Sequence, residues 1–323
     1  MVQARTVRVG LTAILLALCL RIAGTDLPAR FLAWLRSPQA AAVMISLETG
    51  REVRFSPSLP AIAPDFAESS PISETLPRVP PLPVFSDGDR VALFRASGVT
   101  PDVAALLKTP LSWDLRGEGP TVLILHTHAT ESYTKQGEDY RETAAWRTDD
   151  ENYNMLSIGA LVAQRLEEAG ISTIQDRTLH DYPSYNGSYV SSRKSLRAYL
   201  EQYPTIRLVL DLHRDAGGTD TSQMRTEAKA GDRDSAQLMV VLGTNHENYE
   251  ENLSLGAKLH VVLERQCPGI TRPLQLREAR YNQDLCPGAL LIEVGAAGNN
   301  HEEAAVAAEE LAKAIITLAE GSG

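Results

Sequence analysis

Residues Thr121–Tyr133 read TVLILHTHATESY. The first five, Thr121 to Leu125, form an unbroken run of β-branched residues and leucine, the pattern of a strand buried on both faces. His126, His128 and Glu131 follow within six positions. Two imidazoles and a carboxylate at a strand end suit a metal ion. They equally suit a polar loop, and only the rest of the chain separates the two.

Working outward, strand-like and helix-like segments alternate. ENYNMLSIGALVAQRLEEAG (151–170) places Leu156, Ile158, Leu161, Val162 and Leu166 at helical spacing and ends on Gly170, a helix stop. ISTIQ reads as a strand, SSRKSLRAYLEQY as a helix and IRLVLDL as a strand. AQLMVVLG, YEENLSLGAKLHVVLERQ, GALLIEVG and EEAAVAAEELAKAIITLAE continue the strand–helix order. This alternation predicts an α/β domain with a mostly parallel or mixed sheet flanked by helices.

In open sheets of this class, sites lie outside the carboxyl ends of the strands. Three strands end in loaded residues. The first supplies His126, His128 and Glu131; LVLDLHRDAGG supplies Asp211, His213, Arg214 and Asp215; LLIEVGAAGN supplies Glu293. Zinc accepts imidazole nitrogen and carboxylate oxygen, and a catalytic site leaves one position for water. The three cysteines include no CxxC, which argues against a thiolate site. The reading that follows takes His128, Glu131 and His213 as metal ligands, with Glu293 outside them to accept a proton from water. A salt bridge from Glu293 to Arg214 or Arg280 is the alternative. His126 shares a face with His128 in extended chain, as a further ligand, a supporting partner or a packed ring. His180, His246, His260 and His301 lack comparable company and read as surface residues.

The bulk numbers bound the remainder. The chain has 323 residues, 43% hydrophobic and 22% charged, enough for one large domain or two modest ones. A net charge of −10, with no long basic run beyond the N-terminus, argues against a nucleic-acid backbone as the main partner. Arg5 and Arg8 precede an uncharged apolar run from Val9 to Leu20, which Arg21 closes. That run gives about 18 Å of helix against a hydrocarbon core of about 30 Å. Residues 1–24 therefore read as a signal anchor or a cleaved signal peptide, which places everything after Gly24 on the extracytoplasmic face. Residues 25–87 are a juxtamembrane segment and a linker with eight prolines between Pro57 and Pro83, too rich in proline for packed helices or sheets. Residues 88–323 form the globular domain, entered through DLRGEGP. Cys267 and Cys286 pair as a disulfide in an exported domain or stay as two buried thiols.

LILHTHATESY, DENYNMLSIG, HDYPSYNGSYVSSRKSL, LVLDLHRDA and YNQDLCPGALLIEVGAAGN resemble, in order, the motifs of the stage II sporulation protein P family. The resemblance covers roughly residues 90–320. It implies a zinc-dependent N-acetylmuramoyl-L-alanine amidase, with an endopeptidase activity also attributed to the family, acting on peptidoglycan during forespore engulfment. The partners it implies are other engulfment proteins, a sporulation lytic transglycosylase and a membrane anchor protein among them. GALLIEVGAAGN is more distantly similar to the closing motif of amidase_3 enzymes, whose glutamate is catalytic; this maps onto Glu293, and the first histidine maps onto His128. Amidase_3 enzymes draw their carboxylate ligand from a position that falls on Asp150, whereas zinc carboxypeptidases, which have a related fold, use an HxxE pair like His128 and Glu131. Glu131 is preferred here, and Asp150 then reads as a cap or first-turn charge of its helix. Arg214 or Arg280 would stabilise an oxyanion or bind a stem-peptide carboxylate. PSYNGSY reads as a loop contacting glycan or peptide, or as a helix entry capped by Ser188. The rival functions are a zinc carboxypeptidase or endopeptidase, for which no dedicated carboxylate site is evident, and a non-catalytic wall-binding scaffold.

Overall fold

A computed structural model of the chain describes residues 91–110, 114–134, 147–217 and 223–320. The expected signal segment (1–24) and linker (25–87) lie outside the described residues, among which no helix is long and apolar enough to cross a membrane.

Seven strands form one sheet. In chain order they are β1 (Leu93–Ala96), β2 (Val122–Leu125), β3 (Thr173–Gln175), β4 (Leu208–Asp215), β7 (Leu238–Gly243), β8 (Leu274–Arg277) and β9 (Ala289–Ala296). A small hairpin, β5 (Ala228–Ala230) with β6 (Arg233–Ser235), stands apart. The helices are α1 (Val103–Lys108), α2 (Met155–Glu168), α3 (Ser188–Gln202), α4 (Tyr249–Gln266) and α5 (His301–Glu320). The sheet order is β1-β8-β7-β9-β4-β2-β3. β9, β4, β2 and β3 run one way and β7, β8 and β1 the other, so the two parallel blocks meet at the antiparallel pair β7/β9. The mostly parallel or mixed sheet read from the sequence is therefore mixed. β1 and β8, at one side, are short strands that the periodicity did not single out.

Strand alternation sorts the side chains. Val122, Ile124, Leu208, Leu210, Leu212, Val240, Leu242, Leu290 and Ile292 face α2, α4 and α5 and form the main core with them. Leu123, Leu125 and Val209 face the other way, onto Leu196 of α3. Each fully buried Leu or Ile contributes about 1.5–3 kcal/mol over exposure. Asp211, His213 and Glu293 have the parity of Val209, and so belong to the thinner side of the sheet, onto which α3 packs.

At the end of β9 the pairing with β4 slips: His213 pairs with Glu293, but Asp215 pairs with Ala296. Gly295 sits in the slip at φ +70°, where a Cβ would come within 2.7 Å of Ala236 Cβ. Only glycine takes that conformation cheaply, and such bulges redirect the side chains around them.

Cys267 and Cys286 are both free and buried. They belong to different clusters of the core, so the two-thiol reading is the one observed.

Candidate active site

The chain leaves β2 at Leu125 and turns within the sheet's thinner side. His126 is fully buried, its Nδ1 3.3 Å from Leu212 O and its Nε2 3.0 Å from Gln175 Nε2. Burial drives it down to about 4, so it is a neutral packed ring. His128, two residues on, is buried with neither ring nitrogen bonded. Tyr185 stacks on it at 4.4 Å and Tyr189 meets it edge-on at 5.5 Å. Burial first, then the positive neighbours His213, Arg147 and Arg214, push it well below the ordinary imidazole value. A neutral imidazole with open nitrogens is the form that binds metal.

Glu131 is buried and held on both oxygens. Its Oε1 accepts Arg147 Nη2 at 3.2 Å and its Oε2 accepts the Arg214 backbone N–H at 3.1 Å. Oε2 also lies 3.7 Å from His213 Nδ1. The His213 and His128 rings stand 5.2 Å apart at 88°. On its far side, His213 Nε2 is 3.0 Å from Asp211 Oδ1, though not aligned as a hydrogen bond. Asp211 is fixed in turn by the Thr127 N–H and hydroxyl, at 2.8 and 2.7 Å. Burial opposes charge on His213, but Asp211, helped by Glu131 and Glu293, overrides it and raises His213 to about 9. A carboxylate behind a histidine in this way is the usual support of a metal-binding imidazole.

Glu293 lies directly across from His213 on β9. Its Oε2 is buried without a partner, and it forms no ion pair with Arg214 or Arg280. Burial, then the Asp215 charge, push its carboxyl up to about 8. His128, Glu131, His213, Arg214 and Glu293 all line one cavity of about 420 Å³.

The other sequence readings fare differently. Asp150 does not line that cavity; it closes a turn by accepting Asn152 N and Nδ2 at 3.0 and 2.8 Å. Asn154, not Asp150, caps α2, accepting Leu156 N at 2.9 Å. Arg280 is exposed and off the cavity, whose remaining arginines are Arg272 and Arg277. Ser188 opens α3 as its first helical residue, with Gly187 at the cap. His180 and His260 are buried rather than on the surface, and His180 bridges Asp176 and Ser191 at 2.9 Å each. In PSYNGSY the tyrosines carry the contact, through Tyr185 and Tyr189 on His128. Arg147 with Asp181 was missed. A lone arginine 16 residues beyond Glu131 gives no periodic signal, and the two meet only because Glu131 and Arg147 bridge as paired backbone.

These features define a mixed α/β protein whose strand ends gather two histidines and two glutamates around a cavity. The chain belongs to the Stage II sporulation protein P (SpoIIP) family, whose profile matches residues 76–316. It is 30% identical over 200 residues to the Stage II sporulation protein P of Bacillus subtilis (strain 168), a match covering 58% of this chain and 48% of that protein. The match thus spans about half the length of the curated relative. Among solved structures, the chain is similar to the CwlD amidase from Clostridioides difficile in complex with the GerS lipoprotein, at 15% identity and a TM-score of 0.41, covering 62% of this chain and 98% of that one. It is similar as well to the N-acetylmuramoyl-L-alanine amidase AmiC2 of Nostoc punctiforme, at 14% identity and a TM-score of 0.36, covering 64% and 98%. At such scores the functional reading rests on the side chains.

Among the described residues no group of three or more His, Cys, Asp or Glu is drawn close enough to hold a metal as it stands. The donor set nevertheless fits zinc: two imidazoles and a carboxylate facing one cavity, with both nitrogens of His128 buried and unbonded. A buried imidazole without partners costs free energy that a bound cation would recover.

Proposed function

We propose that the chain is a zinc-dependent peptidoglycan hydrolase of sporulation, an N-acetylmuramoyl-L-alanine amidase acting at the extracytoplasmic face of the membrane. The observation that carries this reading is the convergence of His128, Glu131, His213 and Glu293 on one cavity, in a chain of this family.

His128, Glu131 and His213 would hold the ion, which when bound polarises the scissile carbonyl and lowers the pKa of a water to about 7. Asp211 orients His213, and Arg147 with the Arg214 backbone N–H orients Glu131. Glu293 takes the proton of the attacking water at Oε2 and returns it to the leaving amide nitrogen of L-alanine. Arg214 lines the cavity with its Nε anchored to Ser132 O at 3.2 Å, which suits a fixed donor to the developing oxyanion. Tyr185 and Tyr189 form an aromatic wall beside His128 that suits glycan or peptide. The N-terminal segment would tether the chain, and other engulfment proteins, a lytic transglycosylase and a membrane anchor protein among them, would work on the same wall.

Muropeptide mass analysis tests the reading. Digestion of purified peptidoglycan by the zinc-loaded chain should release free stem peptides beginning with L-alanine, and a chelator should stop it. Intact muramoyl–alanine bonds after digestion would remove the amidase assignment, and products cut within the stem would favour an endopeptidase instead.

A further inference from the structure

The cavity does not end at Glu293. It continues over β7 and β8 to Gln275 and Arg277. Glu293 pairs with Met239, Val241 with Gln275 and Gly243 with Arg277, so all six share one face of the sheet. Met239, Val241, Leu291 and Tyr281 pack together along this stretch as its floor. By register, Arg277 lies four positions along and two strands across from the Glu293 row. At ordinary strand spacings that is about 16 Å between backbones.

Three arginines line the cavity, and their commitments differ. Arg272 Nη1 holds Asp215 Oδ2 at 2.7 Å, and Arg214 Nε holds Ser132 O. Arg277 makes no side-chain hydrogen bond or ion pair among the described residues; its guanidinium lies 5.7 Å over the ring of Phe94, an aromatic 53% exposed on β1. Beside it on the same face, Gln275 buries its Oε1 with no donor. A fork of guanidinium donors next to an unmet carbonyl acceptor complements a carboxylate next to an N–H, as a peptide presents them.

We infer that Arg277 and Gln275 form a distal subsite for a carboxylate of the peptide part of the substrate, several residues from the bond that is cut. The inference rests on the amidase reading for the identity of that peptide. A carboxypeptidase must hold a carboxylate one residue, about 3.3 Å, from its scissile bond. The Arg277 spacing instead fits a peptide that runs away from the cut along the floor of Met239 and Val241.

The test uses the full zinc-loaded chain and a four-residue stem peptide already free of muramic acid, so that amidase cleavage cannot confound binding. One probe carries free carboxylates, and its counterpart carries them all as carboxamides. Wild type should bind the free-acid probe about tenfold more tightly than the amide. Arg277→Gln should bind both alike, and Arg277→Lys should keep part of the preference; matched melting curves show that the variants are folded. An undiminished preference in Arg277→Gln, or no binding of the free acid by wild type, would overturn the subsite. If the binding preference stands while peptidoglycan digestion releases no stem peptides, the subsite survives and the amidase reading falls.

Discussion

Glu293 and His213 face each other across two strands, and their protonation separates their roles. Glu293→Gln keeps size and hydrogen bonding but accepts no proton. We expect zinc and fold to persist while amide cleavage falls by a factor on the order of 10²–10⁴. Near-wild-type release of stem peptides by that variant would sink the mechanism. For His213 the sign is set by its carboxylate neighbours. In the metal-free chain it keeps its proton up to about 9, so a metal must displace that proton anywhere below. Zinc affinity should therefore climb by up to about tenfold per pH unit through pH 7 and 8, beyond the point where an ordinary imidazole levels off near 6.5. Zinc titrations at pH 6, 7 and 8 read this directly, and a flat profile above pH 7 would show that Asp211 does not hold the proton there. His213→Ala should lose the metal.

At the scale of elements, two expectations concern helices. Asn154 caps α2, so Asn154→Ala should cost about 1 kcal/mol, whereas Asp150→Ala, in an outlying turn, should cost a few tenths. Denaturant midpoints of the two variants compare them. In α4, His260 is buried and falls from 6.5 to about 4 by desolvation. The unfolded chain then binds this proton more readily, so stability is present above 6.5 and is lost as pH falls towards 4. Between pH 7 and pH 5 the loss should be about 2 kcal/mol, and His260→Gln should remove most of it. The elements themselves were largely legible: β2, β4, β7, β9 and the long helices carry strong periods and clear stops. β1 and β8 are as short as β2 but, as LFRA and LQLR, lack its unbroken apolar run, and His260 looked like a surface residue because its helix is wrapped on more than one side by core.

Over the whole molecule, the site was legible as residue types at strand ends but not as geometry. His128, Glu131, His213 and Glu293 could be listed from the sequence because an α/β sheet brings strand ends to one edge. Strand direction cannot be read from periodicity, so the antiparallel seam was hidden, and with it the cavity wall that Gln275 and Arg277 supply from β8 and Arg272 from just before it. Of the two arginines named from the sequence, Arg214 lines the cavity, whereas Arg280 is exposed and off it. If zinc binds only the folded chain, it should stabilise the whole domain by mass action, by about 2.7 kcal/mol at a hundredfold excess over the dissociation constant. Melting temperature should rise with zinc concentration in the wild type and stay fixed in His213→Ala.

The place of β9 in the sheet carries a temporal meaning. Of the seven strands it is made last, yet it lies between β7 and β4, which do not pair with each other. Until β9 emerges, the β4-β2-β3 block and the β7-β8-β1 block have no common edge, and the histidines on one side have no Glu293 facing them. A chain threaded through a membrane from its amino end would thus bring His128, Glu131 and His213 together on the paired β2 and β4 while the proton acceptor is still missing. Its cutting power would arrive in one step, with the final strand, after the rest has already been delivered.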